Sequence, residues 1–405
     1  MPELSVVLVG TYPPRHDGLA AFAADLAQAV CDQRTVRLQV IAIDPQGETC
    51  HYNPSVVGRI EQLQRDSYLR AAGLVRRLHP DVVCLQHEFG LWGIWQDQLV
   101  DDFAVPFVQR VADGAGGVPA VTTLHTIRPD PGDYEQAVLR GLVQHSAATV
   151  MMARTGAIIL MESYQVAPDR LVQIPHGVPV VERHSRRYFK RRLGLEGRTI
   201  ISTAGLLDRR KGLDYAISAM RQVVERHPEV LYLVVGETHP EVRKRQGEQY
   251  RNELGALVQE LGLADQVRFV NQYISERELV GYLQASDIYL TPYLDRDQIT
   301  SGTLAFAIGL GKAVISTPYL HATEALAEGR GLLAEFRSAE SIAHCVLLML
   351  DDPHERREME HRMAAYGKQD AWPLVGAQYV ELFRRVAGGE SLADLLAVRP
   401  ELPQV

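Results

Sequence analysis

Residues 291–324 read TPYLDRDQITSGTLAFAIGLGKAVISTPYLHATE and show a regular local pattern. The apolar run over 286–293 predicts a strand that ends in a polar loop, and residues 313–317 predict the next buried strand. Between them, residues 304–310 predict an apolar helix. Gly311 can end this helix, because glycine readily adopts the left-handed conformation of a helix end. The stretch therefore predicts one strand–loop–helix–strand unit of a parallel sheet.

The loop before this helix is rich in hydroxyl groups. Thr300 or Ser301 can cap the helix, because the first N–H groups of a helix have no partners inside it. Gly302 lets a ligand approach the backbone closely, and both the N–H groups and the helix dipole favour negative charge. The pattern fits a cradle for a diphosphate, with Thr300, Ser301, Gly302 and Thr303 nearest to it. An ordinary strand–loop–helix without a ligand fits the same residues.

The bulk composition limits the class of protein. The chain has 405 residues, of which 46% are hydrophobic and 23% charged, as in soluble globular proteins of two or three domains. Its net charge of −8 argues against nucleic acid or an anionic membrane as the main partner. The four cysteines have no metal-type spacing and are typical of thiols in a reducing compartment. We expect a cytoplasmic protein with no transmembrane segment, while peripheral membrane contact stays open.

Short apolar runs alternate with helical patterns along most of the chain, which predicts an α/β fold with parallel sheets and right-handed crossovers. One long charged helix is predicted over 240–261. The alternation stops over 176–196, where prolines, a glycine and a basic cluster predict a linker followed by a helix. We expect domains over 1–180 and 181–365, a last helix over 366–386 and a tail over 387–405. The strands are predicted at residues 4–10, 36–43, 81–86, 120–124, 148–152, 171–174, 199–204, 230–235, 267–270, 288–291, 313–317 and 331–334.

The residues that directly follow the predicted strands are candidates for a ligand site, because ligands of open parallel sheets lie beyond the carboxyl ends of the strands. Lys211 is the strongest candidate for binding a diphosphate, since Gly212 lets the chain turn directly after it. A surface lysine in a turn fits as well. His125 follows an apolar strand directly, although a structural histidine is an alternative. The other candidates at strand ends are Tyr12, Arg15, Gly18, His87, Glu88, Arg209, Arg210 and Glu237.

Three of these candidates have specific alternatives. His87 and Glu88 could be a self-satisfied surface pair. Tyr12 and the aromatic run over 91–95 (LWGIW) could offer surface to a sugar or pack in the core. Several common sites have no counterpart in the sequence: it lacks a P-loop, a GxSxG elbow, a dinucleotide fingerprint and a metal-binding spacing.

An ordered set of motifs resembles the retaining, two-domain GT-B glycosyltransferases of family 4. The resemblance covers nearly the whole chain and rests on YPPRHDGLAAF, TLHT, IPHGV, STAGLLDRRKGLDYAI, VVGETHP, SERELVGYLQASDIYLTPY and SGTLAFAIGLGKAVIST. It implies two Rossmann-like parallel-sheet domains facing across a cleft, with the helix over 366–386 crossing back onto the N-terminal domain. It also implies a nucleotide-diphospho-sugar donor, held mainly by the C-terminal domain, and an acceptor held mainly by the N-terminal domain.

The resemblance further implies roles for single residues. Lys211 contacts the donor phosphates, His125 lies against the donor hexose near the reacting carbon, and Gly18 lies near the phosphates and the acceptor. Neither a metal nor another cofactor is implied. On the acceptor side we expect Tyr12, Arg15, His87 and Glu88. On the donor side we expect Gly18, Arg209, Arg210, Glu237, Gln298, Thr300, Ser301, Gly302, Thr303 and Glu324.

The sequence departs from the family pattern at three positions. Leu206 stands where the family usually has an arginine, so Arg209 or Arg210 is expected to substitute. Gln298 and Phe306 stand where the family usually has two glutamates eight positions apart. Gln298 can still form hydrogen bonds, but Phe306 cannot bind ribose hydroxyls, and Glu324 is the alternative ribose ligand.

The sequence thus leads to one main functional hypothesis. It is an enzyme that transfers a hexose from GDP-mannose or a UDP-hexose such as UDP-glucose to an acceptor hydroxyl of a carbohydrate or another glycosylatable molecule. Transfer is expected with retention and without a metal. The alternatives are a catalytically weak nucleotide-sugar-binding partner or sensor protein, and a different enzyme on the same scaffold such as a sugar-nucleotide epimerase or a phosphorylase.

Overall fold

The structure, a computed structural model, describes residues 3–47, 50–96, 98–114, 116–181 and 185–397. The chain divides into two compact units: Met1–Gly177 together with Gln369–Val405, and Val178–Lys368. We call them unit 1 and unit 2. The domain boundaries expected after residues 180 and 365 differ from these by a few residues. Residues 182–184 of the predicted linker and 398–405 of the predicted tail lie outside the described residues.

Among the described residues, unit 1 contains a parallel sheet of seven strands and a separate hairpin of two strands. The strands are β1 (Leu4–Gly10), β2 (Val36–Asp44), β3 (Val56–Glu61), β4 (Val82–His87), β5 (Gly93–Gln96), β6 (Gln98–Asp102), β7 (Ala120–Leu124), β8 (Ala148–Met151) and β9 (Leu171–Gln173). The helices are α1 (Gly18–Cys31), α2 (Arg65–Leu78), α3 (Ala104–Ala112), α4 (Asp133–His145) and α5 (Arg154–Glu162). The strand order of the seven-stranded sheet is β3-β2-β1-β4-β7-β8-β9, and β5 pairs with β6 in antiparallel orientation.

Unit 2 has the same kind of architecture. Its strands are β10 (Thr199–Ala204), β11 (Val230–Val235), β12 (Val267–Val270), β13 (Ile288–Thr291), β14 (Val314–Ser316) and β15 (Leu332–Leu333), in the parallel order β12-β11-β10-β13-β14-β15. Its helices are α6 (Arg186–Arg192), α7 (Leu213–Arg226), α8 (Pro240–Gln246), α9 (Gln249–Glu260), α10 (Glu276–Ala285), α11 (Gly302–Gly309), α12 (Leu320–Leu326), α13 (Ala339–Asp351) and α14 (Pro353–Tyr366).

The sheet of unit 2 is buried on both faces. Ile201 and Tyr232 belong to one apolar cluster, whereas their neighbours Ile200 and Leu231 belong to the other. Successive side chains of a strand point to opposite faces, so near-continuous apolar strands need a layer of helices on each side. The predicted α/β fold with parallel sheets is therefore confirmed.

The last helix, α15 (Trp372–Gly388), is part of unit 1. Its buried residues join those of α1 in one apolar cluster, and the Tyr379 hydroxyl lies 3.1 Å from Thr123 Oγ1 on β7. The core of unit 1 is thus completed by a segment that lies more than 190 positions further along the chain than β9. After α15, the tail predicted as a loose helix contains a short 3₁₀ turn at Ala393–Leu395.

Two predictions about secondary structure were wrong. The long helix over 240–261 is interrupted at Gly247, whose φ of 60° is left-handed, so α8 ends there and α9 starts anew. The elements β3, β5, β6, α3 and α12 were not predicted. Strand β3 lies at the edge of its sheet and is exposed at alternate positions, so it lacks the continuous apolar run by which the central strands were identified.

The basic helix α6 is held by acidic residues of its own unit. Lys190 Nζ lies 2.6 Å from Asp287 Oδ2, and Arg186 pairs with both Asp287 and Glu360. Lys312 is buried in the same region, with only 5% of its surface exposed. Burial, and next the nearby Arg186, lower the pKa of Lys312 to about 7.

Candidate donor and acceptor sites

The loop between β13 and α11 ends in a capped helix, as the sequence predicted. Ser301 is the N-cap of α11, and its Oγ accepts a hydrogen bond from the Leu304 N–H at 3.4 Å. The helix begins at Gly302, two residues before the predicted start. Among the described residues, the N–H groups of Gly302 and Thr303 have no hydrogen-bond acceptor. Two adjacent open donors at a helix N-terminus favour an anionic ligand.

Lys211 lies at the end of a short 3₁₀ turn (Arg209–Lys211) that follows β10. Its Nζ is 3.7 Å from the centroid of the Tyr293 ring, and within the described part of the chain it forms no ion pair. Gly212 has a φ of 60°, and a Cβ there would lie 2.1 Å from the Pro292 carbonyl oxygen. Only glycine fits at this position, so it fixes the Lys211 loop against the end of β13.

Tyr293 connects the lysine to the helix. Its hydroxyl lies 3.0 Å from Thr303 Oγ1, and its ring is stacked on that of Tyr319 with centroids 5.3 Å apart. The structure therefore brings Lys211 to the ring face and Thr303 to the hydroxyl of one tyrosine side chain. Tyr293 was not among the predicted site residues, although its place two residues after an apolar strand was a usable signal.

The other charged donor-side candidates already have charged partners. Arg209 lies 2.5 Å from Glu253, and Arg210 lies 2.9 Å from Asp208. Glu237 pairs with Arg243 at 3.0 Å. The expectation that Arg209 or Arg210 supplies the positive charge missing at Leu206 therefore gains no support from their contacts, because each guanidinium is engaged with a carboxylate.

The family's two glutamate positions have different surroundings here. The Gln298 side chain donates a hydrogen bond to the Thr300 carbonyl at 3.0 Å, within its own loop. Phe306 is 6% exposed and packs in an apolar cluster of unit 2. Glu324 is half-buried on α12, and its carbonyl accepts a hydrogen bond from Arg330 at 3.0 Å. Phe306 thus packs in the apolar core, and Glu324 remains the candidate ligand of the ribose.

The structure shows one further polar residue at this loop that the sequence did not reveal. His321 Nδ1 accepts a hydrogen bond from the Ser301 N–H at 2.9 Å. No local motif marks this contact, because twenty positions separate the two residues.

In unit 1, His125 follows β7 and is half-buried. Its Nε2 lies 2.9 Å from Gln86 Oε1, and the edge of its ring meets Phe22 with centroids 4.9 Å apart. Burial, followed by the nearby His176 and His87, holds the pKa of His125 well below its ordinary value. A neutral ring that donates from Nε2 leaves Nδ1 as an acceptor for a hydroxyl group.

His87 and Glu88 do not form a surface pair. His87 is fully buried and lies 3.0 Å from Asp102 Oδ2, so it has no surface to offer to an acceptor. Asp102 also accepts a hydrogen bond from the Ala104 N–H at the start of α3. Glu88 instead accepts from the Thr126 hydroxyl, and burial raises its pKa. The adjacent residues thus have separate roles, and only Glu88 remains a candidate for acceptor binding.

In the loop before α1, some of the polar side chains already bind to each other or to the helix. Asp17 caps α1 by accepting from the Ala20 N–H at 2.7 Å, and Arg15 lies 2.6 Å from the same carboxylate. Gly18, the first residue of α1, is exposed, whereas Tyr12 is buried in the core. An anion at α1 would meet the Asp17 carboxylate, whereas the cap of α11 is a neutral serine. Electrostatics therefore favours α11 as the phosphate-binding helix.

The aromatic run over 91–95 belongs partly to the core. Trp92 is fully buried, and its Nε1 donates to the Gln86 carbonyl at 2.7 Å. Within the described residues, no three His, Cys, Asp or Glu side chains are grouped as metal ligands. None of the described helices is both long enough and apolar enough to cross a membrane.

Comparison with known proteins places this geometry in a class. The family described as glycosyl transferases group 1 matches residues 185–370. The chain is similar to a D-inositol 3-phosphate glycosyltransferase of Corynebacterium aurimucosum, with 26% identity over 70% of this chain and 67% of that one. It is also similar to a phosphatidyl-myo-inositol mannosyltransferase of Mycolicibacterium smegmatis, with 25% identity over 70% of this chain and 69% of that one.

Among solved structures, the sucrose-phosphate synthase of Thermosynechococcus elongatus superposes with a TM-score of 0.75 at 16% identity, covering 96% of this chain and all of that one. The fold is therefore GT-B, as the resemblance of the sequence implied. Residues 185–370 match the group 1 glycosyltransferase family, and the protein is a glycosyltransferase.

Proposed function

We propose that the protein transfers a hexose of the mannose or glucose type from a nucleotide-diphospho-sugar to the hydroxyl group of an acceptor. The transfer retains the anomeric configuration and uses no metal. The observation that carries this proposal is the position of Lys211, a cation without a carboxylate partner among the described residues. It is joined through Tyr293 to a helix N-terminus with two open N–H groups.

These groups suit the departure of a diphosphate. Negative charge develops on the leaving phosphate oxygens as the glycosidic bond breaks. A lysine ammonium and fixed backbone N–H groups stabilise that charge without having to reorganise. In this proposal Lys211 binds the diphosphate from one side, while Gly302 and Thr303 donate to it from the start of α11. Glu324 is the proposed ligand of the ribose.

Unit 1 carries the groups proposed for the sugar and the acceptor. The neutral His125 ring offers Nδ1 to a hydroxyl of the transferred hexose, while Gln86 fixes its orientation. Glu88, held by Thr126, is proposed to bind the acceptor hydroxyl. We propose front-face attack by the acceptor hydroxyl, in which the leaving phosphate takes the acceptor proton.

The relatives' names suggest which compounds to test first. They describe a glycosyltransferase of inositol 3-phosphate and a mannosyltransferase of a phosphatidylinositol. We therefore propose GDP-mannose and UDP-glucose as the first donors and inositol phosphates among the first acceptors. The test is a thermal-shift panel of GDP, UDP, ADP and their sugars, followed by radiolabelled transfer. If no nucleotide shifts the melting temperature and no donor is consumed, the proposal is wrong.

A catalytically weak nucleotide-sugar-binding protein is the second candidate. It is favoured by Gln298, whose side chain is bound within its own loop, and by Phe306, which lies in the core. Such a protein would be stabilised by a nucleotide but would neither transfer nor hydrolyse the sugar with any acceptor. Assays of donor hydrolysis without an acceptor separate the two candidates.

A further inference from the structure

The start of α11 is held from outside by the segment that leads into α12. We call residues 317–321 the brace segment. The Thr317 N–H donates to the Thr291 carbonyl at 3.2 Å, and the Leu320 N–H donates to the Arg296 carbonyl at 3.1 Å. These bonds fasten the brace segment to the loop that connects β13 with α11, so the conformation of this loop depends on residues outside it.

His321 makes the last two contacts of the brace segment. Its backbone N–H donates to the Gln298 carbonyl at 3.1 Å, and its Nδ1 accepts from the Ser301 N–H at 2.9 Å. One residue thus holds two points of the loop that lie three positions apart. Since Nδ1 is the acceptor, the proton of the neutral ring is on Nε2.

This contact decides which helix donors stay available. The N–H groups of Ser301, Gly302, Thr303 and Leu304 all lack partners inside the helix. His321 takes the first of them, and the Ser301 hydroxyl takes the last. The two in the middle, on Gly302 and Thr303, are left together, and Thr303 is the residue linked to Lys211 through Tyr293.

We propose that His321 is a positioning residue for the donor diphosphate, acting through Nδ1 on Ser301. This inference rests on the proposed function, because it assigns His321 to the same phosphate site. If residue 321 cannot accept this hydrogen bond, the Ser301 N–H must bond to another acceptor. The N-cap and the open N–H groups of Gly302 and Thr303 then shift with Ser301. The chemical requirement is a hydrogen-bond acceptor at the position of Nδ1, and neither the ring nor its charge is needed.

Two variants of similar polarity test that requirement. Asn places its Oδ1 close to the position of Nδ1, whereas Gln places its amide near the position of Nε2. We expect His321→Ala and His321→Gln to weaken binding of UDP or GDP by about tenfold, in line with the loss of one partly buried hydrogen bond. His321→Asn should stay within about threefold of the wild type, because it keeps the acceptor. Isothermal titration measures the dissociation constants.

A second readout separates positioning from general damage. In turnover assays, the donor KM should rise in the Ala and Gln variants while the acceptor KM stays unchanged. Amide hydrogen exchange of the unliganded protein should be faster over residues 298–303 in these variants and near wild-type in His321→Asn. The exposed His361 provides a matched control, since its Ala variant should leave all three measurements unchanged.

The outcomes distinguish the two proposals. If the wild type binds no nucleotide, the proposed function is wrong, and the donor role of His321 is wrong with it. If the wild type binds a nucleotide and all three His321 variants bind it equally well, only the inference about His321 is overturned. Equal loss in the Asn and Gln variants also overturns it, because the acceptor at Nδ1 would then not be the feature that matters.

Discussion

Lys211 Nζ lies 3.7 Å from the centroid of the Tyr293 ring, and the hydroxyl of that ring lies 3.0 Å from Thr303 Oγ1. The aromatic face holds the ammonium group by a cation–π interaction, and no carboxylate among the described residues neutralises it. A single side chain therefore couples the loop after β10 to the start of α11. This coupling presents a positive charge and open N–H groups as one unit.

Loss of the lysine should affect turnover far more than folding. We expect Lys211→Ala to lower kcat/KM by about a hundredfold or more, as is typical when a group that stabilises developing charge is removed. The melting temperature should change by only a few degrees, since no ion pair is broken. Steady-state kinetics and thermal unfolding measure the two effects. Lys368→Ala, at an exposed position of the same unit, is the control and should behave like the wild type. Wild-type turnover in Lys211→Ala would contradict the proposed mechanism.

Tyr293 allows the ring and the hydroxyl to be tested separately. Tyr293→Phe keeps the face under Lys211 and loses only the contact with Thr303, so the donor KM should rise by a factor of about 3 to 10. Tyr293→Leu also removes the cation–π contact and should raise it further. The comparison needs donor KM values together with melting temperatures. Equal KM values for the two variants would show that the ring does not position the lysine.

Restoring the family's second glutamate should fail. Phe306→Glu would place a carboxylate in an apolar cluster in which the wild-type side chain is 6% exposed. We expect it to lower the free energy of unfolding by roughly 3–5 kcal/mol without raising activity. Gln298→Glu, which changes the charge at a partly exposed position, should fold normally and serves as the control. Urea unfolding measures the difference, and a stable, more active Phe306→Glu would contradict this interpretation of the site.

The half-buried His176 of unit 1 predicts a loss of stability in acid. Burial lowers the pKa of His176 to about 4, from an ordinary value of 6.5. Between these pH values the unfolded chain binds a proton that the folded protein does not, so the free energy of unfolding falls as the pH drops from 6.5 towards 4. The slope is up to about 1.4 kcal/mol per pH unit for one histidine. His176→Asn should reduce this slope in urea titrations at several pH values, whereas His361→Asn, at an exposed position, should not.

The buried Lys312 predicts that the free energy of unfolding also rises with pH in a higher pH range. Its pKa is lowered to about 7 in the folded protein, whereas an unfolded lysine titrates near 10.4. Between these values the unfolded chain again binds the extra proton, so stability should rise from pH 7 to pH 10. Lys312→Met should be more stable than the wild type at pH 7 by about 1 kcal/mol or more. Its advantage should shrink towards pH 10, and a constant difference would contradict the buried charge as its cause.

The sequence alone predicted the architecture of both units. The continuous apolar runs of β10, β11, β12 and β13 were located at the residues where the strands lie. Such runs are informative because a strand buried on both faces carries mostly apolar side chains. Edge strand β3 and the hairpin of β5 and β6 were missed, because their side chains are partly exposed and their sequences are correspondingly mixed. The break at Gly247 was missed because a charged pattern continues on both sides of it.

Single functional residues were predicted less completely than the fold. Lys211, Ser301 and Thr303 were selected from strand ends and caps, and these signals are local. His87 was selected by the same rule, yet it is buried against Asp102, fifteen positions away in the sequence. Arg209 and Arg210 were expected to supply positive charge, but nearby carboxylates already engage both. A strand-end position shows where a side chain starts and does not show which partner it meets.

The sequence by itself determined the GT-B class, the two parallel sheets and the capped helix α11, because these depend on periodicity and on contacts between near neighbours. Only the tertiary structure decided which polar groups stay open for a ligand. Tyr293 joins Lys211 to Thr303, and His321 occupies the Ser301 N–H. These contacts join residues that are far apart in the sequence: Lys211 and Tyr293 are separated by 82 positions (293 − 211). A hydrogen bond or a cation–π contact requires a few ångströms of separation in space, and sequence spacing does not encode that distance.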